Sequence, residues 1–206
     1  TESNPKNYQV WHHRQWLLQK TMALEAEVEF IKEMLLEDSK NYHTWTYFHW
    51  IVETFNLWTQ GAELVDFFLN QDIRNNSAWN CRYFLTTRKN SRVVPEEVVV
   101  AEAEFTLDSL RQVALNEAAW NYLRSMCLPR SQRCVTAIPS LQAKALEFAR
   151  ECVACVSKPN RFAMSYVVDS LRSQEDGASG KNVEEMERIL HTLREIDPIR
   201  KKYWAY

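Results

Sequence analysis

The chain has 206 residues, a formal net charge of −2 at neutral pH and a hydrophobic fraction of 46%. This length is enough for one domain with a sizeable core or for two small ones, and the balanced charge gives no general argument for binding nucleic acid or an acidic membrane. Three glycines and six prolines are few, which favours helices over sheet. No apolar run approaches the roughly 20 residues that a membrane-spanning helix needs.

A short sequence motif recurs along the chain and marks the start of successive predicted helices. NPKNYQVW, DSKNYHTW and DIRNNSAW align without gaps, so that Trp11, Trp45 and Trp79 recur at steps of 34 residues. LNEAAW and DPIRKKYW extend the series to Trp120 and Trp204, and SKPNRFAM has a methionine at the same position. Residues seven positions before five of these six side chains are predicted to cap helices; they are Asn4, Asp38, Asp72, Ser157 and Asp197. The Trp120 repeat has Val113 at this position, and its helix is predicted to start later, at Asn116.

Each repeat is predicted to be a helical hairpin. A second amphipathic segment follows each of the first two repeated motifs, at residues 23–36 and 62–69. Both segments carry apolar residues at three- and four-residue spacing. Since one hairpin cannot bury its apolar face alone, successive hairpins are expected to stack. The repeated tryptophans are predicted to lie in the core between them. Residues 86–97 and 173–182 are predicted to be loops inside the array and not domain boundaries.

Basic residues stand two positions after the first three predicted caps. They are Lys6, Lys40 and Arg74. A cation at a helix N-terminus opposes the helix dipole at a cost of about 0.3–1 kcal/mol, so its repetition needs a reason. One interpretation is an edge that binds an anion such as phosphate beside free N–H groups. The alternative is that the bases pair with acidic neighbours, namely Glu2, Asp38 and Asp72.

No metal site or nucleophilic motif is predicted. His12 and His13 are adjacent and lie about 100° apart on a helix, so they cannot easily share an ion. Cys152 and Cys155 share a helix face, but no second pair has zinc-site spacing, and a buried apolar role is favoured for them. The chain also has no Gly-rich phosphate loop.

Two arginines and the five cysteines complete the residue-level predictions. Arg14 and Arg82 follow their tryptophans by three residues and are predicted to form ion pairs between helices. The odd number of cysteines and the lack of a signal peptide favour free thiols in a reducing, intracellular compartment.

Five motifs together resemble a known family. The chain is similar to the α subunit shared by protein farnesyltransferase and protein geranylgeranyltransferase type I in NPKNYQVWHHRQWLL, DSKNYHTW, QDIRNNSAWNCRYF, NEAAWNYL and IRKKYW. The resemblance covers essentially the whole chain. It implies an all-α fold, a right-handed α-α superhelix in which helical hairpins form a crescent-shaped solenoid. The chain is expected to be one domain over residues 1–206, truncated at its N-terminus, with repeats near 4–37, 38–71, 72–112, 113–156, 157–196 and 197–206.

The resemblance also implies an activity. The chain would be the α subunit of a heterodimeric protein prenyltransferase, inactive without its β subunit. The enzyme would transfer a farnesyl or geranylgeranyl group from its diphosphate to the cysteine thiol of a C-terminal CaaX motif. Zinc would be bound by the β subunit, magnesium would assist farnesyl transfer, and the location would be cytoplasmic. Nucleic acid would not be a partner. Two alternatives are a tetratricopeptide-like scaffold with the same 34-residue period and the α subunit of Rab geranylgeranyltransferase.

The resemblance places the site residues in the first two repeats. Lys6 matches a lysine that contacts the diphosphate, and Tyr8 matches a tyrosine that lines the same site, so both are expected to be catalytic. Further diphosphate contacts are expected from Asn41 and Tyr42. Gln9 matches a glutamine that hydrogen-bonds the terminal carboxylate of the peptide, and His43 is also expected to contact the peptide. No metal ligands are expected in this chain. The second repeat departs from the others in having Phe48 where Arg14 and Arg82 stand.

Overall fold

The computed structural model describes residues 7–89, 93–128, 135–155, 158–173 and 180–205. Over these residues the chain forms ten α-helices, two short 3-10 helices and no strand, which confirms the predicted all-α class. The elements are α1 (Tyr8–Thr21), α2 (Leu24–Glu37), α3 (Tyr42–Phe55), α4 (Trp58–Gln71), α5 (Asn76–Lys89), α6 (Glu96–Gln112), α7 (Glu117–Cys127), α8 (Pro139–Ala154), α9 (Arg161–Ser173), α10 (Gly180–Ile196), η1 (Pro198–Arg200) and η2 (Tyr203–Ala205).

The helices form two compact units, Thr1–Ser91 and Arg92–Tyr206. In the first unit α1 packs on α3 and α3 packs on α5, with α2 and α4 against α3. In the second unit α7 packs on α9, α6 packs on α7 and α8, and α10 packs on α9. Within each unit, the first helix of a hairpin therefore packs on the first helix of the next, as expected for stacked repeats. A single domain over residues 1–206 stays a prediction.

Two predicted loops are shorter than expected. Helix α5 continues to Lys89 and α6 begins at Glu96, so residues 93–95 are the described non-helical part of segment 86–97. Threonine in this segment fits the helix because the Thr87 hydroxyl donates to the carbonyl of Tyr83, 2.7 Å away. In segment 173–182, Ser173 ends α9 and Gly180 begins α10, while residues 174–179 lie outside the described part.

The repeated tryptophans lie in the core, as predicted. All five are at most 5% exposed. The indole Nε1 donates to the carbonyl oxygen six residues earlier in Trp45 (2.9 Å), Trp79 (2.7 Å) and Trp120 (2.8 Å). A buried indole N–H needs such an acceptor, so each bond ties a core ring to the turn that precedes its own helix.

The predicted helix start at Asn116 is confirmed, but the other described asparagine caps lie three residues later than the sequence interpretation placed them. In five repeats the asparagine four positions before the core side chain accepts a hydrogen bond from an N–H of the first turn. The Oδ1 of Asn75, for example, is 3.0 Å from the amide nitrogen of Ser77 and 3.2 Å from that of Ala78. The same role is filled at α1, α3, α7 and α9 by Asn7, Asn41, Asn116 and Asn160.

The predicted N-caps at Asp38 and Asp72 are therefore wrong. These residues end α2 and α4, because their own N–H groups still donate to Met34 and Phe68 of those helices. Their carboxylates accept from the backbone N–H two residues on, at 3.1 Å and 2.9 Å, and so form the turn between hairpins. Asp197 precedes η1 without a side-chain capping bond. The other two predicted caps, Asn4 and Ser157, lie outside the described residues.

Two of the capping asparagines also join successive hairpins. The Nδ2 of Asn75 donates to the carbonyl oxygen of Ser39 at 3.3 Å, and the Nδ2 of Asn160 donates to that of Ala114 at 2.7 Å. Each of these carbonyls also accepts the indole N–H of its own repeat. Asparagine suits the position because its amide caps with the oxygen and bridges with the nitrogen, whereas an aspartate carboxylate only accepts.

Replacing Asn75 by aspartate separates these two roles. The carboxylate keeps the cap but places an oxygen against the Ser39 carbonyl, so we expect a loss of about 1–2 kcal/mol in the free energy of unfolding. The matched control is Asn76→Asp, which adds the same charge at the exposed first residue of α5 and is expected to be neutral or slightly stabilising. Urea denaturation of both variants tests this. Equal stability of Asn75→Asp and the parent chain would show that the bridge contributes nothing.

A buried histidine in α3 makes the first unit sensitive to acid. The His49 ring stacks on the Phe84 ring of α5 with centroids 4.2 Å apart, and its Nε2 is buried without a hydrogen bond. Burial lowers the pKa of His49 to about 4. In the unfolded chain this histidine binds a proton below its ordinary pKa of 6.5, whereas in the folded chain it stays neutral down to about pH 4. The neutral histidine therefore contributes to the free energy of unfolding above pH 6.5, and this contribution is lost as the pH falls towards 4.

Between pH 7 and pH 5 we expect the parent chain to lose about 2 kcal/mol more stability than the His49→Gln variant. Chemical denaturation at a series of pH values measures both slopes. The comparison depends on the change with pH and not on the absolute stability of the variant. Parallel pH profiles would contradict the proposed state of His49.

Candidate functional site

Four of the residues proposed for the site occupy equivalent positions in two neighbouring helices. Tyr8 and Tyr42 are the first residues of α1 and α3, and Gln9 and His43 are the second. Helix α1 packs on α3 within the first unit. Trp11 near the start of α1 contacts Tyr47 near the start of α3, with ring centroids 5.0 Å apart, so the four side chains belong to the same end of the two helices. Packed helix axes lie about 8–10 Å apart, which is within reach of one small ligand.

The two tyrosines stand out into solvent. Tyr8 is 65% exposed and Tyr42 is 74% exposed. Each ring has an edge-to-face contact with a histidine of its own helix: Tyr8 with His12 at 4.5 Å and Tyr42 with His43 at 5.7 Å. Gln9 is also exposed. Large exposed aromatic side chains grouped at one edge are typical of a binding surface.

Asn41 has a different environment from the other site candidates. It is 5% exposed, and its Oδ1 accepts from the N–H of His43 at 3.0 Å and that of Thr44 at 3.3 Å. Its side-chain oxygen is therefore used to start α3 and to orient the two residues that follow. A direct contact of Asn41 with diphosphate stays a prediction. Lys6 lies outside the described residues.

The two repeated bases that the structure describes lie outside the helices. Lys40 and Arg74 immediately precede the capping asparagines, so the expectation that they occupy the first helical turn is wrong. The N–H groups at the start of α3 and α5 that were expected to face an anion donate instead to those asparagines. Lys40 and Arg74 are exposed, and anion binding at this edge would rest on side chains more than on the backbone.

An ion-pair network holds α1 in place. The Arg14 guanidinium binds the Glu27 carboxylate of α2 with two hydrogen bonds and lies 3.4 Å above the Phe30 ring. Glu27 also accepts from the Tyr47 hydroxyl of α3 at 2.7 Å. Burial and the bond to Glu27 raise the pKa of Tyr47, so this hydroxyl keeps its proton. The predicted ion pairs are confirmed, since Arg82 likewise binds Asp66 at 2.6 Å.

The cysteines and histidines form no metal centre within the described residues, where no group of three or more His, Cys, Asp or Glu side chains could hold an ion. Cys81 and Cys127 are buried free thiols, and burial raises the pKa of both. The buried role predicted for Cys155 is wrong, because it caps the end of α8 with an exposed side chain. Cys134 lies outside the described residues. None of the described helices is long and apolar enough to cross a membrane.

A family model described as the protein prenyltransferase alpha subunit repeat matches residues 1–21 and 24–55. The chain is also 34% identical over 127 residues to the Dictyostelium discoideum protein farnesyltransferase/geranylgeranyltransferase type-1 subunit alpha. Residues 1–21 and 24–55 therefore carry the prenyltransferase α-subunit repeat. The match to this relative covers 62% of the chain and 37% of the relative, so the chain spans little more than a third of its length.

A solved structure is similar over the whole chain. Over 99% of its length this chain superposes on 67% of a chain of Candida albicans protein geranylgeranyltransferase-I complexed with GGPP, with a TM-score of 0.76 and 26% sequence identity. The match confirms the predicted fold class, an α-α superhelix of helical hairpins. All six residues predicted for the site fall within the segments that the family model matches.

Proposed function

We propose that this chain is part of the α subunit of a heterodimeric protein prenyltransferase. The enzyme would transfer a farnesyl or geranylgeranyl group from its diphosphate to the cysteine thiol of a CaaX peptide, and would require a β subunit. The observation that carries the proposal is the pair of exposed tyrosines at the capped entrances of α1 and α3. Both lie in the segment that carries the prenyltransferase repeat.

The proposed roles follow from the chemistry of each side chain. A cation at Lys6 would stabilise the negative charge that grows on the leaving diphosphate in the transition state. Tyr8 and Tyr42 would offer phenolic hydroxyl donors to the same group. The exposed amide of Gln9 would donate to the terminal carboxylate of the peptide, with His43 beside it. Asn41 would serve the site by fixing the start of α3 and, with it, the positions of Tyr42 and His43.

The remaining components belong to the assembled enzyme. Zinc, bound by the β subunit, would favour the thiolate form of the peptide cysteine. Magnesium would offset diphosphate charge in the farnesyl reaction. We propose a cytoplasmic location, in keeping with a CaaX protein substrate. This chain would contribute the N-terminal ends of α1 and α3, with Tyr8, Tyr42 and Gln9, together with Lys6.

Reconstitution with candidate partners tests the proposal. The chain, extended to the length of its relatives, is co-expressed with the β subunit of farnesyltransferase or of geranylgeranyltransferase type I, and isoprenyl transfer from each diphosphate to a CaaX peptide is measured. We expect a stable heterodimer whose activity requires both subunits, with the β subunit choosing the isoprenoid. Absence of a complex with either β subunit would overturn the proposal.

The two alternatives give other results in the same experiment. A tetratricopeptide-like scaffold would bind a peptide alone and would not copurify with a β subunit. An α subunit of Rab geranylgeranyltransferase would assemble with the β subunit of that enzyme in preference to the other two. A competition among the three β subunits therefore separates all the candidate functions.

A further inference from the structure

The second unit contains a small polar cavity at the entrances of two stacked hairpins. It has a volume of about 60 Å³ and is lined by residues of α7, of α9 and of the segment that holds η1 and η2. A water molecule takes about 30 Å³ in the liquid. The cavity therefore has room for about two waters or for a single small ion of comparable size.

Cationic hydrogen-bond donors dominate the wall of this cavity. Arg124, Arg161 and Arg200 line it, one from α7, one from α9 and one from η1. Glu117 is the carboxylate among the described lining residues, and its Oε1 is 3.7 Å from Nη2 of Arg200. Behind the wall, Asp169 pairs with Arg124 at 2.8 Å. Arg161 forms no ion pair among the described residues, and its guanidinium lies 4.8 Å from the Phe162 ring.

The neutral acceptors at the cavity are already used. The Oδ1 of Asn121 accepts from Nη1 of Arg124 at 3.0 Å, and the Ser165 hydroxyl oxygen accepts from Nη2 of the same arginine at 3.2 Å. Nη1 of Arg200 also lies 3.9 Å from the buried Asp197 carboxylate, which leaves Arg161 as the cation of this wall without an ion pair among the described residues. A free guanidinium favours an occupant that accepts hydrogen bonds and carries negative charge.

A buried indole on the same wall lacks an acceptor. Trp204 lines the cavity and is 5% exposed, and its Nε1 is buried without a hydrogen-bond partner. Trp45, Trp79 and Trp120 instead donate to the carbonyl six residues earlier. The corresponding carbonyl, of Pro198, accepts from the N–H of Lys201 within the 3-10 turn. A buried donor left unpaired costs about 1–3 kcal/mol, so a group that accepts from it would stabilise the segment.

We propose that this cavity binds one small oxyanion of the inorganic phosphate or sulfate class. The anion accepts hydrogen bonds from Arg161, Arg200 and the Trp204 indole, and it thereby holds the η1–η2 segment against α7 and α9. Bidentate contact between guanidinium and a tetrahedral oxyanion provides the geometry. The site lies wholly within the second unit, and its existence does not depend on the proposed prenyl transfer.

Calorimetric titration of the whole chain with inorganic phosphate tests the site, at an ionic strength held constant with sodium chloride. We expect saturable binding in the millimolar range or tighter. Arg161→Gln and Arg200→Gln should each weaken the affinity at least tenfold. Trp204→Phe keeps the ring and removes the N–H, and should weaken it several-fold. Arg188→Gln, an exposed arginine of α10 outside the cavity, is the matched control and should leave the affinity unchanged.

A second measurement covers variants that fold poorly. The shift in Tm on adding phosphate in place of chloride is followed for each folded variant, and it should disappear in Arg161→Gln while persisting in Arg188→Gln. Two results would overturn the proposal. One is phosphate binding no stronger than chloride, which means that the cavity holds water. The other is an equal loss of phosphate affinity in the cavity variants and in Arg188→Gln, which would mean that phosphate is attracted non-specifically to surface charge.

Discussion

Replacing Trp79 by alanine is expected to lower the free energy of unfolding by about 3–5 kcal/mol. The ring is 2% exposed, and its indole N–H donates to the carbonyl oxygen of Ile73 at 2.7 Å. The substitution opens a cavity in the core of the first unit. It also removes the hydrogen bond from the indole N–H to the Ile73 carbonyl. Both effects act at the turn between the second and third hairpins, so we expect the cooperativity of unfolding to fall as well.

Two further variants separate the contributions to this loss. Trp79→Phe keeps an aromatic ring and removes the hydrogen bond, and should cost about 1–3 kcal/mol. Trp16→Ala removes a tryptophan that is 56% exposed and should change stability by about 0.5 kcal/mol or less. Urea denaturation followed by circular dichroism measures all three. If Trp79→Ala were no more destabilising than Trp16→Ala, the repeated tryptophan would not be the main core residue of its hairpin.

Lys6→Ala is expected to slow the chemical step of the assembled enzyme by about 10²–10³-fold. This is the range for removing one donor that stabilises charge developing in a transition state, about 2.7–4 kcal/mol. The cation would contact a diphosphate whose charge increases as the bond to the isoprenoid breaks, so the effect should fall on turnover more than on peptide affinity. Single-turnover kinetics with the β subunit present isolates that step.

Gln9→Ala is the matched variant three residues away. It removes an exposed amide proposed to bind the peptide carboxylate, and should raise KM for the peptide while leaving the chemical step nearly unchanged. Lys20→Ala, an exposed lysine in the last turn of α1, is the charge control and should alter neither. An unaltered chemical step in Lys6→Ala would remove that residue from the diphosphate. Loss of isoprenoid affinity in Gln9→Ala would require its role to be reassigned.

The elements that could be predicted from sequence are those with strong local patterns. The 34-residue spacing of Trp11, Trp45 and Trp79 predicted both the stacked hairpins and the burial of the rings. A large aromatic side chain that recurs at a fixed period within amphipathic segments is typical of a repeated core position. The ion pairs of Arg14 and Arg82 were predictable for a similar reason, because their spacing from the tryptophan directs them towards the second helix of a hairpin.

The helix starts could not be fixed by capping preference alone. DSKN and DIRN each contain two good capping residues three positions apart, and propensity does not choose between them. The choice is tertiary. Asn75 also donates to Ser39 of the preceding hairpin, which aspartate does not do. A signal was nevertheless present, because asparagine stands four residues before the core side chain in five repeats, whereas the position seven residues before it varies.

The candidate site was predicted as a set of residues but not as an arrangement. The resemblance to known motifs selected Tyr8, Gln9, Tyr42 and His43, and the structure brings them to one end of two packed helices. Sequence alone did not reveal that Asn41 is buried while its neighbour Tyr42 is 74% exposed. That contrast arises where the helix begins, because a cap turns inward to meet N–H groups while the first helical side chain projects away.

The asparagine bridges have a consequence for how the chain acquires its structure. Asn75 reaches back 36 residues to Ser39, and Asn160 reaches back 46 residues to Ala114. In both cases the bond connects a hairpin to the one directly before it. Such nearest-neighbour connections keep the loops that must close during folding short. A hairpin emerging from the ribosome can therefore dock on its predecessor before the next has been synthesised, and a faulty bridge would expose one junction to proteases while its neighbours remained closed.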